Sequence, residues 1–442
     1  MRRVLAIVSI PLLVAGCTIS IGGSGDEPAA PAGATAGAPS AVDDPTAAPS
    51  EDAEAATPAP PASEGFALVS GGLAASGYQS VLDAAASGPT VVASLFTQED
   101  GADVDAGLAF STDGGATWAW GGTLAQPGDQ YATGALIEPE GVILVGTTYT
   151  EDGDEELAEA FVALAPAPEF VPEAADLPEE FAGRDVHLMD MHNVNGEWII
   201  VGYQGSRPDA DGESDDTPVL WRSADEGATW TKQRIRVAGS SDTPVYGMVV
   251  APDGSWNLYG QSYPDDGNGF DAAWLRSTDD GDSFELVAPG AFSAPSDQGA
   301  QQIVFDDTGA VAVRGWDELD EADDEDVSAV WAAGSGEDIT RLGTQTLAVA
   351  GGTPPGSFLS GLLFDADTLV AWGSPDGSKP SDPVQFWRWE DGEFVPSSTI
   401  DGDGSPLSVI RILTDDAVAL AFGYVSPDGD EADAGVWRAS LG

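Results

Sequence analysis

An eight-residue phrase that occurs three times constrains the fold of this chain more than any other feature. Residues 111–118 read Ser-Thr-Asp-Gly-Gly-Ala-Thr-Trp, residues 223–230 read Ser-Ala-Asp-Glu-Gly-Ala-Thr-Trp, and residues 277–284 read Ser-Thr-Asp-Asp-Gly-Asp-Ser-Phe. Such self-similarity indicates a fold built from repeated units. The phrase favours a tight turn, because its Asp carboxylate accepts backbone N–H groups and its Gly adopts positive φ, while the closing aromatic ring packs beside the hairpin.

The phrase resembles the Asp box, Ser-x-Asp-x-Gly-x-Thr-Trp, of the sialidase-like β-propellers, also called the BNR repeat. The resemblance implies structural turns on one face of a propeller, and it implies little about activity because one fold hosts many functions. The residues that carry it are Ser111, Asp113, Gly115, Trp118, Ser223, Asp225, Gly227, Trp230, Ser277, Asp279, Gly281 and Phe284.

Seven short β-rich runs follow tight turns at intervals of about 55 residues. We interpret them as the second strands of seven four-stranded antiparallel blades, so the fold is expected to be an all-β, seven-bladed β-propeller over residues 65–442. Six or eight blades remain alternatives, because the units at Val142 and Leu369 lack an Asp box. The runs are residues 90–95, 142–146, 198–202, 256–260, 310–315, 369–373 and 417–423.

The last unit ends directly after its third strand, at residues 436–440, while residues 66–70 form an extra strand before the first unit. A propeller must cover its exposed sheet edges. We therefore expect residues 66–70 to close the ring as the outer strand of blade seven.

The front of the chain has the features of a secretory signal. A basic Met1-Arg2-Arg3 precedes an apolar run too short to span a membrane, which ends in Val14-Ala15-Gly16-Cys17. This ending resembles a bacterial lipobox, which implies that residues 1–16 are a lipoprotein signal peptide and that Cys17 carries the lipid. The alternative is an ordinary cleaved signal with an incidental Cys. The expected location is the outer face of the bacterial cytoplasmic membrane, in the cell wall space or extracellular.

Residues 17–64 are expected to form a lipid-anchored, disordered linker. Ala, Pro, Gly, Ser, Thr and acidic residues dominate this stretch, and aromatic residues are absent from it. Such a composition cannot bury enough apolar surface to offset the entropy of ordering.

The chain carries 75 acidic and 15 basic residues, for a net charge of -60. This balance excludes nucleic acid as a partner, because phosphate binding needs clustered Lys and Arg. It also disfavours adhesion to anionic lipid, so the membrane is expected to be contacted through the lipid anchor only. Solubility alone would also account for an acid-rich surface.

The acidic residues concentrate between second and third strands, on the face opposite the Asp boxes. One such loop offers Ca²⁺ a weak candidate site at Asp209, Asp211, Glu213 and Asp215, with oxygen ligands at alternate positions. The closing Glu of an EF-hand loop is missing, and the alternative is a solvated loop. No other cofactor is expected.

Aromatic residues follow several of the second strands and are a possible ligand rim at the mouth of the channel. Such rings, with carboxylates nearby, suit sugar hydroxyls or cations, and the alternative is packing between blades. The candidates are Phe96, Tyr149, Tyr203, Tyr263, Trp316 and Tyr424.

Catalytic sialidase motifs are not found. A sialidase would need three arginines around the substrate carboxylate, but only Arg184, Arg207 and Arg314 could reach the loop-rich face, and the motif Phe/Tyr-Arg-Ile-Pro is absent. Four further arginines on third strands are expected to pair with acids or stack on rings. They are Arg222, Arg276, Arg388 and Arg438.

His187 and His192 lie five apart in one strand, so a period of two would place them on opposite faces, unable to bind one metal. We therefore expect an extracytoplasmic binding or scaffolding propeller whose surface glycan or protein ligand the sequence does not name. One alternative is a sialidase-like glycoside hydrolase acting on surface glycans through carboxylates such as Asp209 or Asp317. Another is a Ca²⁺-stabilised structural module.

The lipobox predicts that Cys17→Ser releases the protein from the membrane, because the substitution removes the thiol that would carry the lipid. Fractionation of cells into membrane and soluble material measures the change. An unaltered membrane fraction would contradict the lipid anchor.

Overall fold

The computed structural model describes residues 66–440 with short gaps, so Cys17, the predicted signal peptide and the predicted linker lie outside the described residues. No helix in the described part of the chain is long and apolar enough to cross a membrane. The gaps are residues 72, 74–76, 100–101, 125, 153–154, 184, 207–214, 265–268, 294–296, 319–325, 337, 343–357, 376–382, 403–404, 415–417 and 427–431.

The described strands form seven antiparallel sheets, which confirms the seven-bladed propeller. Blades 1 to 6 are β2–β5, β6–β9, β10–β13, β14–β18, β19–β22 and β23–β26, and blade 7 combines β27–β29 with β1. The strands are β1 (Ala67–Gly71), β2 (Tyr78–Ser87), β3 (Thr90–Gln98), β4 (Asp105–Ser111), β5 (Ala119–Thr123), β6 (Asp129–Glu138), β7 (Gly141–Asp152), β8 (Glu155–Pro166), β9 (Glu173–Ala174), β10 (Val186–Val194), β11 (Glu197–Gly205), β12 (Asp216–Ser223), β13 (Thr231–Arg234), β14 (Ser240–Asp242), β15 (Val245–Val250), β16 (Trp256–Pro264), β17 (Asp271–Ser277), β18 (Glu285–Leu286), β19 (Gln298–Phe305), β20 (Val311–Glu318), β21 (Asp326–Ala333), β22 (Thr340–Leu342), β23 (Phe358–Asp365), β24 (Thr368–Ser374), β25 (Val384–Glu390), β26 (Glu393–Ile400), β27 (Leu407–Thr414), β28 (Val418–Val425) and β29 (Asp433–Ser440). Two 3₁₀ turns, Glu179–Phe181 and Pro289–Ala291, lie in the connections.

The N-terminal strand closes the ring as expected. β1 pairs antiparallel with β29, with Ala67 opposite Arg438 and Gly71 opposite Gly435. Just before β1, the ring of Phe66 stacks on Phe386 of blade 6 at 5.7 Å. β1 therefore completes blade 7, and Phe66 just before it packs against blade 6.

The first strand of every blade contains a β-bulge, and these strands contact one another around the ring. The bulge brings the carbonyl before it against the second strand, where a Cβ would lie 1.9 Å from the oxygen at Gly146 and at Gly202. No side chain fits at that distance. This close approach explains the Gly near the end of five second strands, at Gly146, Gly202, Gly260, Gly315 and Gly423, and Gly373 holds the same position in β24.

The bulge also corrects the expectation for the two histidines. His187 lies opposite Tyr203 and His192 opposite Ile199, so the extra residue in β10 places both on one face rather than on opposite faces. They still bind different partners, since His187 stacks on Tyr203 whereas His192 Nε2 lies 2.8 Å from Asp190 Oδ2.

A carboxylate at the start of the first strand joins blades at three junctions. Asp242 Oδ1 accepts the backbone N–H of Asp216 in the preceding blade at 3.2 Å, and Thr243 N donates to the Asp216 carbonyl at 2.7 Å. We call this two-way arrangement the Asp clamp. The same clamp joins Asp129 to Val104 and Asp297 to Phe270.

Polar side chains on the first strands join the blades nearer the axis. Asp190 of blade 3 accepts the N–H of Met248 in blade 4 at 3.0 Å, and Arg411 of blade 7 lies 3.7 Å from Asp83 of blade 1. Burial raises the pKa of Asp83 to about 6, although Arg411 opposes this shift. Polar side chains on first strands therefore pair across the junctions of blades 3 and 4 and of blades 7 and 1.

Removal of residues 1–71 should cost several kcal/mol or cause aggregation, because it deletes β1 and exposes the edge of β29. Removal of residues 1–64 deletes none of the described strands and should leave stability almost unchanged. Urea unfolding of the two truncations measures the difference. Equal unfolding midpoints would contradict closure by β1.

Candidate ligand-binding face

The three Asp-box turns connect third and fourth strands and share one pattern of hydrogen bonds. In the first, Asp113 Oδ1 accepts from Thr117 N and from Ser111 Oγ, both at 2.8 Å, and Gly115 N donates to Ser111 Oγ at 2.9 Å. Asp225 and Asp279 make the equivalent bonds. Hydrogen bonds from the Thr117 hydroxyl, the Thr117 backbone N–H and the Ser111 hydroxyl lower the pKa of Asp113 to about 2.

Two residues of each turn are left-handed, at Gly114 and Gly115, Glu226 and Gly227, and Asp280 and Gly281. Each box packs against the preceding blade. Trp118 meets Phe422 of blade 7 edge-on at 5.7 Å, and Trp230 meets Phe181 in the connection from blade 2 at 5.2 Å. The Asp-box face is therefore an assembly of structural turns.

The opposite face, where first strands begin and second strands end, carries a continuous aromatic belt across blades 1 to 3. Ring centroids lie 5.6 Å apart for Tyr78 and Phe96, and 5.8 Å apart for Phe96 and Tyr131 and for Tyr131 and Tyr149. Tyr149 continues to His187 at 5.9 Å, and His187 stacks on Tyr203 at 4.4 Å. We call these six residues the aromatic belt.

His187 joins the two halves of the belt. Its Nδ1 lies 3.4 Å from the Tyr149 hydroxyl, and its ring is nearly parallel to that of Tyr203. Burial lowers the pKa of His187 to about 4. The imidazole is therefore neutral at pH 7 and adds a ring, but no charge, to the belt.

Two carboxyl groups lie at the blade 3 end of the belt. Burial and the neighbouring Asp242 raise the pKa of Asp216 to about 7, and burial raises the pKa of Asp242 to about 6. Burial and the charge of Asp216 raise the pKa of Tyr203 well above its ordinary range, and the same causes raise the pKa of Tyr246. Near neutral pH this pair can both donate and accept hydrogen bonds.

Polar and aromatic groups extend the face towards blade 5. The Tyr246 hydroxyl donates to Gln261 Oε1 at 2.6 Å. Gln261 Nε2 and Trp316 Nε1 both lie over Gly299, where a Cβ would come within 2.9 and 2.4 Å of them. Gly299 thus makes room for the Trp316 indole beside the Gln261 amide.

The possible rim residues differ in their exposure to solvent. Tyr149, Tyr263 and Trp316 are half-buried, whereas Tyr203 and Tyr424 are each only 2 % exposed. Tyr149 and Tyr203 come together through His187, while Tyr263 packs edge-on against Phe270 at 5.2 Å. Only part of the rim can therefore present a ring to a ligand.

Several other candidates are engaged elsewhere. Arg314 does not reach this face, because its Nη1 donates to the Leu359 carbonyl and to Gln301 Oε1, both at 2.8 Å. Asp317 is ion-paired with Arg341 at 2.5 Å and is almost fully buried. Arg184, Arg207, Asp209, Asp211 and Glu213 lie outside the described residues, and the described part of the chain holds no group of three or more His, Cys, Asp or Glu side chains arranged to bind a metal.

Sequence reasoning missed Tyr78, Tyr131, Asp216, Asp242 and Tyr246, which sit at the ends of first and third strands. It searched only the ends of second strands. A signal was present, since Asp129, Asp185, Asp242 and Asp297 recur at nearly the blade period, each just before a first strand.

No family model matches the chain, and no curated protein matches it in sequence. Solved structures share its fold. Polysaccharide lyase Uly1 is 11 % identical, with a TM-score of 0.54, and the match covers 82 % of this chain and 90 % of that one. This likeness supports the propeller fold alone.

Two weaker matches are a sialidase from Trypanosoma rangeli and a protein of unknown function from Dyadobacter fermentans. The sialidase is 10 % identical at a TM-score of 0.45, over 82 % of this chain and 55 % of that one. The Dyadobacter protein is 12 % identical at 0.44, over 86 % and 99 %. The chain spans about half the length of the sialidase chains that it matches.

Asp216→Asn should stabilise the protein at pH 8 by about 1–2 kcal/mol and have no effect below pH 4. The reason is that the pKa of Asp216 rises from 3.8 to about 7 on folding, so stability is greatest below pH 4 and falls as the pH rises through 7. Thermal unfolding at both pH values measures the effect.

Asp129→Asn is the control for removing an acid from this face, since Asp129 accepts the backbone N–H of Val104, which carries no carboxyl group, and the substitution should therefore not raise stability at pH 8. Equal stability of Asp216→Asn and the unsubstituted protein at pH 8 would contradict the coupled carboxyl pair.

Proposed function

We propose that this protein is a cell-surface lipoprotein whose propeller binds uncharged carbohydrate on the face that carries the aromatic belt. The anchor is the lipid on Cys17, the linker holds the propeller away from the outer face of the cytoplasmic membrane, and the Asp boxes are purely structural. The ligand belongs to the glycans of the cell surface.

The aromatic belt is the observation that carries this proposal. Ligand sites combine aromatic surface with a few placed polar groups. The belt places six rings in contact across three blades, of which Phe96 and Tyr203 are buried and the other four are partly exposed. The polar groups beside it are the Tyr149 hydroxyl and the carboxyls of Asp216 and Asp242. Sugars present both C–H surfaces and hydroxyls, which suit this combination.

The charge of the face selects against anionic sugars. Asp216 and Asp242 stand at the end of the belt, and the described contacts place no arginine cluster there. Among the described residues, a sialate or uronate carboxylate would meet two acidic groups, while the guanidinium of Arg234 is hydrogen-bonded to Gln204 Oε1 at 3.0 Å. This favours neutral or N-acetylated sugars, and it counts against the sialidase-like hydrolase.

The fold comparison is compatible with carbohydrate binding and adds only modest support. Polysaccharide lyase Uly1 shares the propeller over most of both chains, and its name says that its substrate is a polysaccharide. At 11 % identity it transfers no residue role. The class of ligand is argued from the rings and carboxyls of this chain.

Binding is tested by calorimetry of the folded protein against neutral, N-acetylated and sialylated oligosaccharides of equal length. We expect the neutral or N-acetylated members to bind and the sialylated ones not to. Tyr149→Ala and Trp316→Ala should each weaken binding about tenfold, which corresponds to one ring contact of about 1.4 kcal/mol. Both side chains are half-buried, so the fold should tolerate their loss.

Asp225→Ala is the control on the Asp-box face. It should lower the unfolding midpoint, because the carboxylate anchors its turn, while leaving affinity unchanged. Preference for sialylated ligands would contradict the proposal. So would a loss of binding in Asp225→Ala with an unchanged midpoint, since that would place the ligand on the wrong face.

A further inference from the structure

A groove of about 530 Å³ opens between blades 2 and 3 on the Asp-box face. Its apolar lining includes Leu164 of β8, which is 45 % exposed, together with Trp198 and Trp230 of blade 3. Glu138 and Glu140 from the turn between β6 and β7 border it. The groove is separate from the aromatic belt and lies on the opposite face.

Leu164 occupies a position that holds arginine in four other blades. It pairs with Ile143, three residues before Gly146, and each arginine pairs with the residue at the same place before its own second-strand glycine. The equivalent arginines are Arg222, Arg276, Arg388 and Arg438.

Three of these arginines pair with an acid near the turn between first and second strands of their own blade. Arg222 binds Glu197 at 2.7 Å, Arg388 binds Asp365 at 2.8 Å, and Arg276 pairs with Asp253. Arg222 also lies over the ring of Trp256 in the next blade, 5.2 Å from its centroid. A guanidinium thus fills the junction of blades 3 and 4 between an acid and an indole.

The junction of blades 2 and 3 keeps an acid from blade 2 and an indole from blade 3 but lacks the guanidinium. Trp198 stands four residues before Gly202, as Trp256 stands four before Gly260, and its Nε1 donates to Glu138 Oε1 at 3.0 Å. Glu140 is exposed beside it. Glu138 Oε1 also accepts from Asn193 Nδ2 at 2.7 Å, and with Leu164 in place of arginine no basic residue lines the groove beside Glu138, Glu140 and Trp198.

We propose that the groove binds an extended segment of a partner protein through an arginine side chain. The partner's guanidinium takes the place that Arg222 takes one junction further on, stacked on Trp198 and paired with Glu138 and Glu140. Apolar residues next to that arginine pack on Leu164 and Trp230. Arginine suits this site better than lysine, because its planar group stacks and pairs at the same time.

Charge complementarity favours a partner protein over two other possible occupants of the groove, namely the linker of this chain and a second copy of the chain. Residues 18–64 of this chain contain acidic residues and no Lys or Arg, so the linker cannot supply the cation. A second copy would bring a net charge of -60 against another of the same sign. A basic segment meets neither obstacle.

The probe is a fluorescein-labelled peptide, Pro-Leu-Arg-Pro-Leu, and its control replaces Arg with citrulline, which keeps the shape and removes the charge. Polarisation with the complete folded chain should show the arginine peptide binding at least about tenfold more tightly, and more weakly in 0.5 M NaCl. Equal binding of the two peptides, or no binding of the arginine peptide at millimolar concentration, would overturn the proposal.

Leu164→Arg tests the same geometry from within the chain. It should raise the unfolding midpoint, because the new guanidinium can pair with Glu138 and stack on Trp198. It should also weaken binding of the arginine peptide about tenfold, because it occupies the place of the peptide's guanidinium. Leu68→Arg is the matched control, since Leu68 is a leucine of similar exposure, 52 %, on β1 of blade 7 and lies outside the groove. A lower midpoint for Leu164→Arg, or unchanged peptide binding, would show that the groove does not fit a guanidinium.

Discussion

Contacts between neighbouring blades are the constraint on which the rest of this structure depends. A single four-stranded sheet cannot bury both of its faces, so each blade is stable only between two others. The Asp clamps on one face, the Asp boxes on the other and the paired side chains along the channel all join a blade to its neighbour. β1 completes the series by giving the last blade its fourth strand.

The two faces join neighbouring blades through different chemical groups, and this difference decides what each face can bind. On the Asp-box face the carboxylates accept hydrogen bonds within their own turns, and Arg222 fills the junction of blades 3 and 4. On the opposite face the clamps use the carboxylates of first strands and leave aromatic rings beside them. The belt therefore offers rings and carboxyls together, whereas the Asp-box face offers an open groove where Leu164 replaces arginine.

Much of the fold could be predicted because the same turn and strand signals recur in several blades, so each occurrence supports the interpretation of the others. The Asp boxes marked the turns to the fourth strands, the glycines marked the second strands, and the missing strand identified β1. The bulges could not be predicted from alternation, since one extra residue reverses it, and the expected faces of His187 and His192 were wrong for that reason. The site was harder, because Asp216 and Tyr246 belong to different blades and their proximity depends on the ring.

The central claim is that ligand binds on the face opposite the Asp boxes. Hydrogen–deuterium exchange with and without a bound neutral oligosaccharide tests it most directly, because the segments that form the two faces can be measured in different proteolytic peptides. The account predicts slowed exchange at 129–132, 186–189 and 242–246, where first strands begin, and unchanged exchange at the turns 113–117 and 225–229. Protection of those two turns, with none at the first strands, would contradict it.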